Sequence, residues 1–298
     1  MLKERTCPVC QVASSALFAE STVDPDKLDE YAYASRKMPE YMHHRLMNCL
    51  SCDLVYASPV PDDCELAKAY EEAGFDSQEL AIRAAATYAR IIRKYIRKLP
   101  DRRCAIDIGT GEGAFLRQLL SLDFQDVFGV EPSRAPVESA SPEIRKLIKQ
   151  AMFDEKLFAP RSATLVTCFQ TIEHVPDPLQ LCRNAFQTLI PGGMICLVGH
   201  NRRSLSARML GKKSPIFDLE HLQLFSRTSL EALLKTSGFI QIDIKPFWNV
   251  YPLSYWAKLF PVPRRLKPTV LDALKWTRIG ILPIALPAGN LIAIGVRP

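Results

Sequence analysis

Apolar positions along this chain repeat with two different periods, and the changes from one to the other outline a fold. Between residues 65 and 99 the spacing is helical. Ile82, Ala85, Ala89, Ile92, Ile96 and Leu99 recur three or four positions apart, while Arg90, Arg93, Lys94, Arg97 and Lys98 occupy the solvated back. Pro100 stops that helix. From Cys104 to Phe239, short apolar runs alternate with further helical stretches, the order expected of an α/β chain with a doubly wound parallel sheet. Two last runs, residues 239–244 and 290–296, have strand composition, but about forty-five residues separate them. An insertion of that length is expected to carry a function or to be disordered.

The insertion has a distinctive composition. From Lys245 to Ile279 it holds Lys245, Lys258, Arg264, Arg265, Lys267, Lys275 and Arg278 against one acid, Asp272, with Phe247, Trp248, Tyr251, Tyr255, Trp256 and Phe260 interleaved. Residues 245–289 are therefore expected to form a helical, aromatic and basic element. It is either a lid whose aromatics pack on the domain, or a surface for peripheral membrane contact through residues 245–280. The rest of the composition is ordinary: 298 residues, 48% hydrophobic and 23% charged, enough to bury a substantial core, with no apolar run of bilayer length. A net charge of +6, with no basic cluster beside the cysteine pairs, disfavours nucleic acid as a partner. The charged start MLKERT lacks the apolar core of a secretory leader, so a cytoplasmic location is expected, with at most surface association with a membrane.

One run joins a buried strand to a glycine-rich turn and a helix start: Ala105-Ile106-Asp107-Ile108-Gly109-Thr110-Gly111-Glu112-Gly113-Ala114-Phe115-Leu116. Glycines here permit positive φ and let a ligand lie against backbone N–H groups at the positive end of the helix dipole. The third glycine comes one residue too early for a dinucleotide fingerprint, which disfavours NAD. About twenty residues on, Glu131 ends a second strand, placed to accept both ribose hydroxyl protons.

These blocks resemble the class I S-adenosylmethionine-dependent methyltransferases, whose first motif is similar to Asp107-Ile108-Gly109-Thr110-Gly111-Glu112-Gly113 and whose second strand ends in an acid like Glu131. The resemblance runs on through residues 165–178 and through the Pro191-Gly192-Gly193 turn, and covers roughly residues 104–245. It implies a Rossmann-like, seven-stranded, mostly parallel sheet and S-adenosyl-L-methionine as cofactor. The residues it implies around the cofactor are Asp107, Gly109, Thr110, Gly111, Gly113, Glu131 and Gln170, with Asp154 near the end of the third strand either meeting the adenine or serving as a loop acid.

A second constellation lies upstream. Cys7-Pro8-Val9-Cys10 and Cys49-Leu50-Ser51-Cys52 are two C-x-x-C knuckles about forty residues apart, a pattern that supplies four thiolates to a tetrahedral structural zinc. Disulfides are the rival reading. Cys104, Cys168, Cys182 and Cys196, however, fall in core elements where reduced thiols are usual, and Cys64 lies in a polar stretch. His43 and His44 precede the second knuckle but are not needed to close the shell, so they are expected to face substrate or solvent. The combination is similar to a methyltransferase subfamily with an N-terminal zinc-binding segment that includes sugar C-methyltransferases. In it a glycine usually follows the last cysteine; Asp53 stands there, and Asp also visits the left-handed region. The division expected is a zinc module over 1–65 and a methyltransferase domain over 66–298.

Methyl transfer needs an aligned nucleophile, and a base only where the acceptor holds a proton. His174, after the fourth strand, is the base candidate, with Glu173 to orient it. His221 is expected to touch substrate or buttress the loop, and Tyr31, Tyr33 and Tyr41 are expected to project toward the acceptor. Together these point to methylation of a small-molecule acceptor, such as a nucleotide- or lipid-linked sugar, on oxygen, nitrogen or carbon. The alternatives are a non-catalytic binding module of the same fold, and an RNA methyltransferase.

Overall fold

The computed structural model describes residues 2–24, 26, 42–71, 78–259 and 265–298. The N-terminal part contributes β1 (Leu2–Lys3), β2 (Ser15–Ala19), β3 (Leu46–Cys49), β4 (Val55–Ala57) and β5 (Val60–Pro61), followed by α1 (Asp63–Glu71) and α2 (Gln78–Ile96). Alternation then begins with β6 (Cys104–Ile108), α3 (Ala114–Leu120), β7 (Asp126–Val130), α4 (Arg134–Ser139), α5 (Pro142–Arg145), β8 (Ile148–Lys149) and β9 (Ala163–Phe169). It continues through α6 (Pro178–Thr188), β10 (Leu189–His200), α7 (Leu205–Leu210), β11 (Gln223–Leu224) and α8 (Arg227–Thr236). The chain closes with β12 (Ile240–Pro252), α9 (Leu253–Leu259), α10 (Lys267–Trp276) and β13 (Pro283–Val296).

The main sheet has the order β12-β13-β10-β9-β6-β7-β8. Its pairs from β10 to β8 are parallel, and β13 runs antiparallel to both β10 and β12. β6 and β9 are buried along their whole length, as strands covered on both faces must be. Chain order reverses between them, since β7 and β8 extend the sheet one way from β6 while β9 and β10 extend it the other. A crevice at the carboxyl ends of the strands opens at such a reversal. β10 starts upstream of the Pro191-Gly192-Gly193 turn and bulges there, with Gly192 at φ 76°.

Helix α2 covers one face of this sheet with most of the stripe its periodicity predicts: Ala85, Ala89, Ile92 and Ile96 are buried. Ile82 is instead 55% exposed, and Ala81, Ala84, Tyr88 and Tyr95 complete the buried face. Alanines bring the helix close to the sheet and leave a neighbouring branched side chain outside the contact. The five basic residues on its back are exposed as expected.

The N-terminal segment is joined to the rest in four ways. β11, from the far side of the main sheet, pairs with β4 and completes a four-stranded sheet ordered β11-β4-β3-β2. Cys7, Val9, Cys49, Cys52, Leu54 and Tyr56 belong to the same buried cluster as Ile106, Val166 and Leu197 of the main sheet. Arg5 ties the parts together: its guanidinium donates to the carbonyls of Ala57 at 2.7 Å, Pro176 at 2.9 Å and Leu222 at 2.6 Å, and burial lowers its pKa to about 10. Asp53, in the left-handed region at φ 62°, binds Arg202 and Arg203 after β10.

The last two strands correct the expected insertion of residues 245–289. The β12–β13 ladder continues from Phe247↔Asn290 outward to Pro252↔Pro283, so residues 245–252 and 283–289 are strand. Among the described residues between 253 and 282, α9, α10 and a short 3-10 turn form the tip of this ribbon. The aromatic content of 247–251 suits a pleated ribbon better than a helix.

Candidate functional site

The glycine turn after β6 has three glycines at positive φ, required for two different reasons. A Cβ on Gly109 (φ 70°) would come within 2.2 Å of Thr171 Oγ1, and one on Gly113 (φ 79°) within 2.2 Å of Ile144. These two are excluded by the protein's own packing. Gly111 (φ 56°) differs, because nothing lies within 4 Å of the side chain it lacks. Its missing side chain opens toward space that a ligand can fill. The Gly111 N–H donates to Glu131 Oε2 at 2.9 Å, and Glu131 Oε1 accepts from Ser133 N at 2.9 Å, so the acid at the end of β7 lies against the glycine backbone. Asp107 is 3% exposed and accepts from Thr167 Oγ1 of β9 at 2.6 Å.

Two buried polar atoms in this neighbourhood have no hydrogen-bond partner among the described residues: Thr110 Oγ1 and Gln170 Nε2. Gln170, directly after β9, is held in the left-handed region at φ 54°, a position disfavoured for a residue with a side chain. Orphaned polar atoms at the crevice between β6 and β9, with an open Gly111, are what a cradle built for a polar ligand requires. Asp154 is a different matter. It is exposed, five residues beyond β8, and its Oδ1 accepts from Lys156 N at 2.7 Å and Leu157 N at 3.1 Å. Its carboxylate caps its own turn, as a loop acid does.

Across the crevice, histidines gather from separate segments. His174 follows β9, His200 ends β10 and His221 precedes β11. The rings of His174 and His221 are 4.9 Å apart and those of His200 and His221 are 5.2 Å apart. His174 Nδ1 faces the Glu220 carbonyl at 3.0 Å, and His221 Nδ1 faces the Ile216 carbonyl at 2.9 Å. A carbonyl only accepts, so neutral His174 and His221 carry their proton on Nδ1 and present Nε2 as the basic nitrogen. Burial holds the His174 pKa below its ordinary value, against the opposing pull of Glu173. The Tyr70 hydroxyl donates to the His174 carbonyl at 2.9 Å and fixes the loop from below.

Several expectations change here. Glu173 does not hold the His174 ring. It is fully buried, its Oε1 accepts from the His200 backbone N–H, and Oε2 has no partner among the described residues. Orientation of His174 comes from the Glu220 carbonyl instead, because the Glu173 side chain points under the end of β10, where Gly199 leaves room for it. His221 buttresses the loop. His43 and His44 turn inward rather than to solvent: His43 is 4% exposed against Phe217, and His44 Nε2 is buried without a partner among the described residues. Burial, helped by the charge of Arg5, drops the His44 pKa to about 4. Tyr31, Tyr33 and Tyr41 lie outside the described residues, as do Phe260 and Arg264. His200, Glu220, Tyr70 and Arg5 were not expected, and only the position of His200 at a strand's carboxyl end carried a signal in the sequence.

The two knuckles meet as their spacing predicts. Cys7 Sγ and Cys52 Sγ are 3.5 Å apart, Cys10 Sγ and Cys49 Sγ are 3.5 Å apart, and all four sulfurs lie within 4.8 Å of one another. These distances are too long for a disulfide of about 2.05 Å. They suit thiolates around a tetrahedral ion, for which Zn–S bonds of about 2.3 Å imply sulfurs nearly 4 Å apart. Cys104, Cys168, Cys182 and Cys196 are buried free thiols whose pKa burial raises.

Against known proteins, the pattern of the methyltransferase domain family matches residues 80–242, more than half of the chain. A ubiquinone biosynthesis O-methyltransferase of Pseudomonas fluorescens strain SBW25 is 30% identical over 106 residues, 33% of this chain and 44% of that protein. Its counterpart in strain Pf0-1 is 29% identical over 163 residues, 52% of this chain and 62% of that protein. The chain thus spans less than two thirds of the length of these relatives. Among solved structures, a SAM dependent methyltransferase from Archaeoglobus fulgidus aligns with a TM-score of 0.49 and 19% identity over 79% of this chain and all of that one.

Proposed function

The chain belongs to the methyltransferase domain family, and from that premise we propose that it transfers a methyl group from S-adenosylmethionine to a hydroxyl of a small-molecule acceptor. The observation that carries this reading is the cradle: a glycine turn closed by packing at Gly109 and Gly113, open at Gly111, with Thr110 Oγ1 and Gln170 Nε2 buried beside it without a partner among the described residues. Asp107, Gly109, Thr110, Gly111, Gly113, Glu131 and Gln170 would hold the cofactor. When bound, it supplies an electrophilic methyl group on a sulfonium.

The chain's own residues do the rest. The Gly109, Thr110 and Gly113 N–H groups are already taken by the Val130 and Thr110 carbonyls, so the turn would meet the cofactor through its open face at Gly111, and Glu131, whose Oε2 accepts from the Gly111 N–H, would accept from the ribose hydroxyls. His174 takes the acceptor's proton at Nε2, since its Nδ1 proton is committed to the Glu220 carbonyl. The buried Glu173 carboxylate favours the imidazolium that results. His221 backs the His174 ring. An oxygen acceptor is favoured over nitrogen or carbon because the curated relatives are named O-methyltransferases and because a hydroxyl gives this base a proton to take. Hydroxyl-rich nucleotide-linked or lipid-linked sugars fit that requirement. Cys7, Cys10, Cys49 and Cys52 hold a structural zinc in this reading, which fixes the segment bearing His43 and His44 against the crevice.

The test is calorimetric titration of the metal-replete protein with S-adenosylmethionine and S-adenosylhomocysteine, followed by transfer of labelled methyl to a panel of hydroxylated acceptors. Micromolar binding of both and label in an ether-linked product are expected. Folded protein that binds neither overturns the reading and leaves a non-catalytic module in its place. Label in RNA would move the acceptor to nucleic acid.

A further inference from the structure

The described part of the tip at residues 253–282 is poorly buried for a piece of a folded domain. Helix α10 has no buried residue, although its sequence includes Val270, Leu271, Leu274 and Trp276. Trp276 is 85% exposed, and Leu266, Ile279, Ile281 and Leu282 around it are exposed as well. The aromatics at the base behave differently. Tyr251, Tyr255 and Trp256 pack on one another with ring centroids 4.5–5.8 Å apart, and Trp256 Nε1 donates to the Ile284 carbonyl at 2.9 Å. The lid expectation therefore describes the base, while the outer surface has apolar side chains with no cover among the described residues.

Charge narrows what covers it. Residues 253–282 contain six Lys or Arg, of which Lys258, Arg265, Lys267, Lys275 and Arg278 are described, against the single acid Asp272. A protein interface of ordinary composition is depleted in lysine at its centre, whereas exposed Trp, Leu and Ile ringed by cations is the composition of a surface that lies in the headgroup layer of an anionic bilayer. Among the described residues no helix is long and apolar enough to cross a membrane, so the surface would rest on it.

We propose that the tip is a docking surface for an anionic lipid bilayer. Its position gives the docking a purpose. On β13, Asn290 is opposite His200, the last residue of β10, so the ribbon from Gly289 to Pro283 projects beyond the carboxyl edge of the sheet by about 20 Å. That is the edge at which the glycine cradle and the histidines lie. His200 Nδ1 is itself 2.9 Å from Asn290 Oδ1. A bilayer contacted by the tip thus faces the crevice side of the molecule, where an acceptor carried on a lipid would arrive. The docking claim stands without the methyltransferase reading, since it needs only the exposed surface and its charge.

The experiment mixes full-chain, metal-replete protein with phosphatidylcholine vesicles, with and without phosphatidylglycerol, and follows sedimentation and tryptophan emission. Expected are co-sedimentation with the anionic vesicles only, weakening with salt, and a blue shift in emission. The double variant Trp276→Ala/Ile281→Ser should bind about tenfold more weakly. Its S-adenosylhomocysteine titration, if the wild type binds that ligand, should be unchanged. Protein left in the supernatant at low salt, or full vesicle binding by the variant, overturns the proposal. Sedimentation showing a dimer that the same variant dissociates assigns the face to a second copy of the chain and overturns it as well.

Discussion

At the end of β6 the crevice wall is made of main chain; opposite it, where β9, β10 and the segment before β11 converge, the wall is made of side chains. The glycine cradle comes from one stretch of five residues whose shape is enforced by φ angles and by two clashes that forbid a Cβ. The histidine wall is assembled from residues 174, 200 and 221: His174 and His200 are held by hydrogen bonds to distant segments, as are Tyr70 and Arg5 behind them, and His221 is held by the Ile216 carbonyl. A wall of main chain depends on local conformation, and a wall of side chains depends on the whole assembly that brings them together. The two should therefore fail differently.

The largest effect should come from the cysteine cluster, which is packed into the core beneath the main sheet's strands. Cys52→Ser, or a strong chelator, should cost on the order of 5 kcal/mol or more, because bound zinc contributes directly to folding and because Cys7, Cys49 and Cys52 share a buried cluster with the main sheet. The expected result is a single melting transition shifted down in temperature, with about one zinc released per chain. An early separate transition that spares S-adenosylhomocysteine binding would show instead that the cradle stands without the cysteine cluster.

Next in size is His174→Gln. Loss of a general base lowers kcat about a hundredfold or more, while cofactor affinity, set on the other wall, should hold. The pH dependence has a definite sign. Burial keeps the His174 pKa below its ordinary 6.5, so Nε2 is unprotonated at neutral pH. Activity should stay level as pH falls to that value and drop only as pH passes through the lowered pKa. A rate that rises on acidification, or an unaltered profile in the variant, would remove His174 from the base role.

Legibility in the sequence follows the same division. Gly109, Gly111, Gly113 and Glu131 stand within about twenty-five residues, so their arrangement could be read from spacing. The two cysteine knuckles could be read for the same reason, each being a four-residue pattern. Glu220 could not, because only the approach to β11 places its carbonyl beside His174, and His200 could be read only as the end of a strand. Nor could the inward turn of His43 and His44, which depends on β4 pairing with β11. The buried face of α2 was misjudged at Ile82 because alanine carries a weak hydrophobic signal yet permits the closest approach. The ribbon beyond Phe247 reads as helix in the sequence because its aromatic and basic composition runs unbroken into α9, although Phe247 and Asn249 are buried and Trp248 between them is exposed.

The cradle itself can be divided by comparing glycines. Gly109→Ala should destabilise the fold by about 1–3 kcal/mol, since the new Cβ meets Thr171 at 2.2 Å and the φ is positive. Gly111→Val has no such clash, so its stability cost should be only that of the φ, about 1–2 kcal/mol, yet S-adenosylhomocysteine binding should fall at least tenfold. Thermal melts and calorimetry on both variants separate packing from ligand contact. Equal binding by Gly111→Val and wild type would mean that the open space at Gly111 is not the ligand's.

The smallest expected effect bears on how far the main-chain wall extends. Asp154 holds the amides of Lys156 and Leu157, and removing such a cap costs about 1 kcal/mol. Asp154→Ala should therefore lower stability slightly and leave cofactor affinity where it was. Asp154→Asn, which keeps one acceptor oxygen for the turn, should recover part of the stability. If either variant instead weakens S-adenosylhomocysteine binding about tenfold, equivalent to about 1.4 kcal/mol, the carboxylate exchanges its turn for the adenine when the ligand enters. The cofactor wall would then also depend on a side chain some forty residues from the glycine turn, and the contrast with the histidine side would be one of degree.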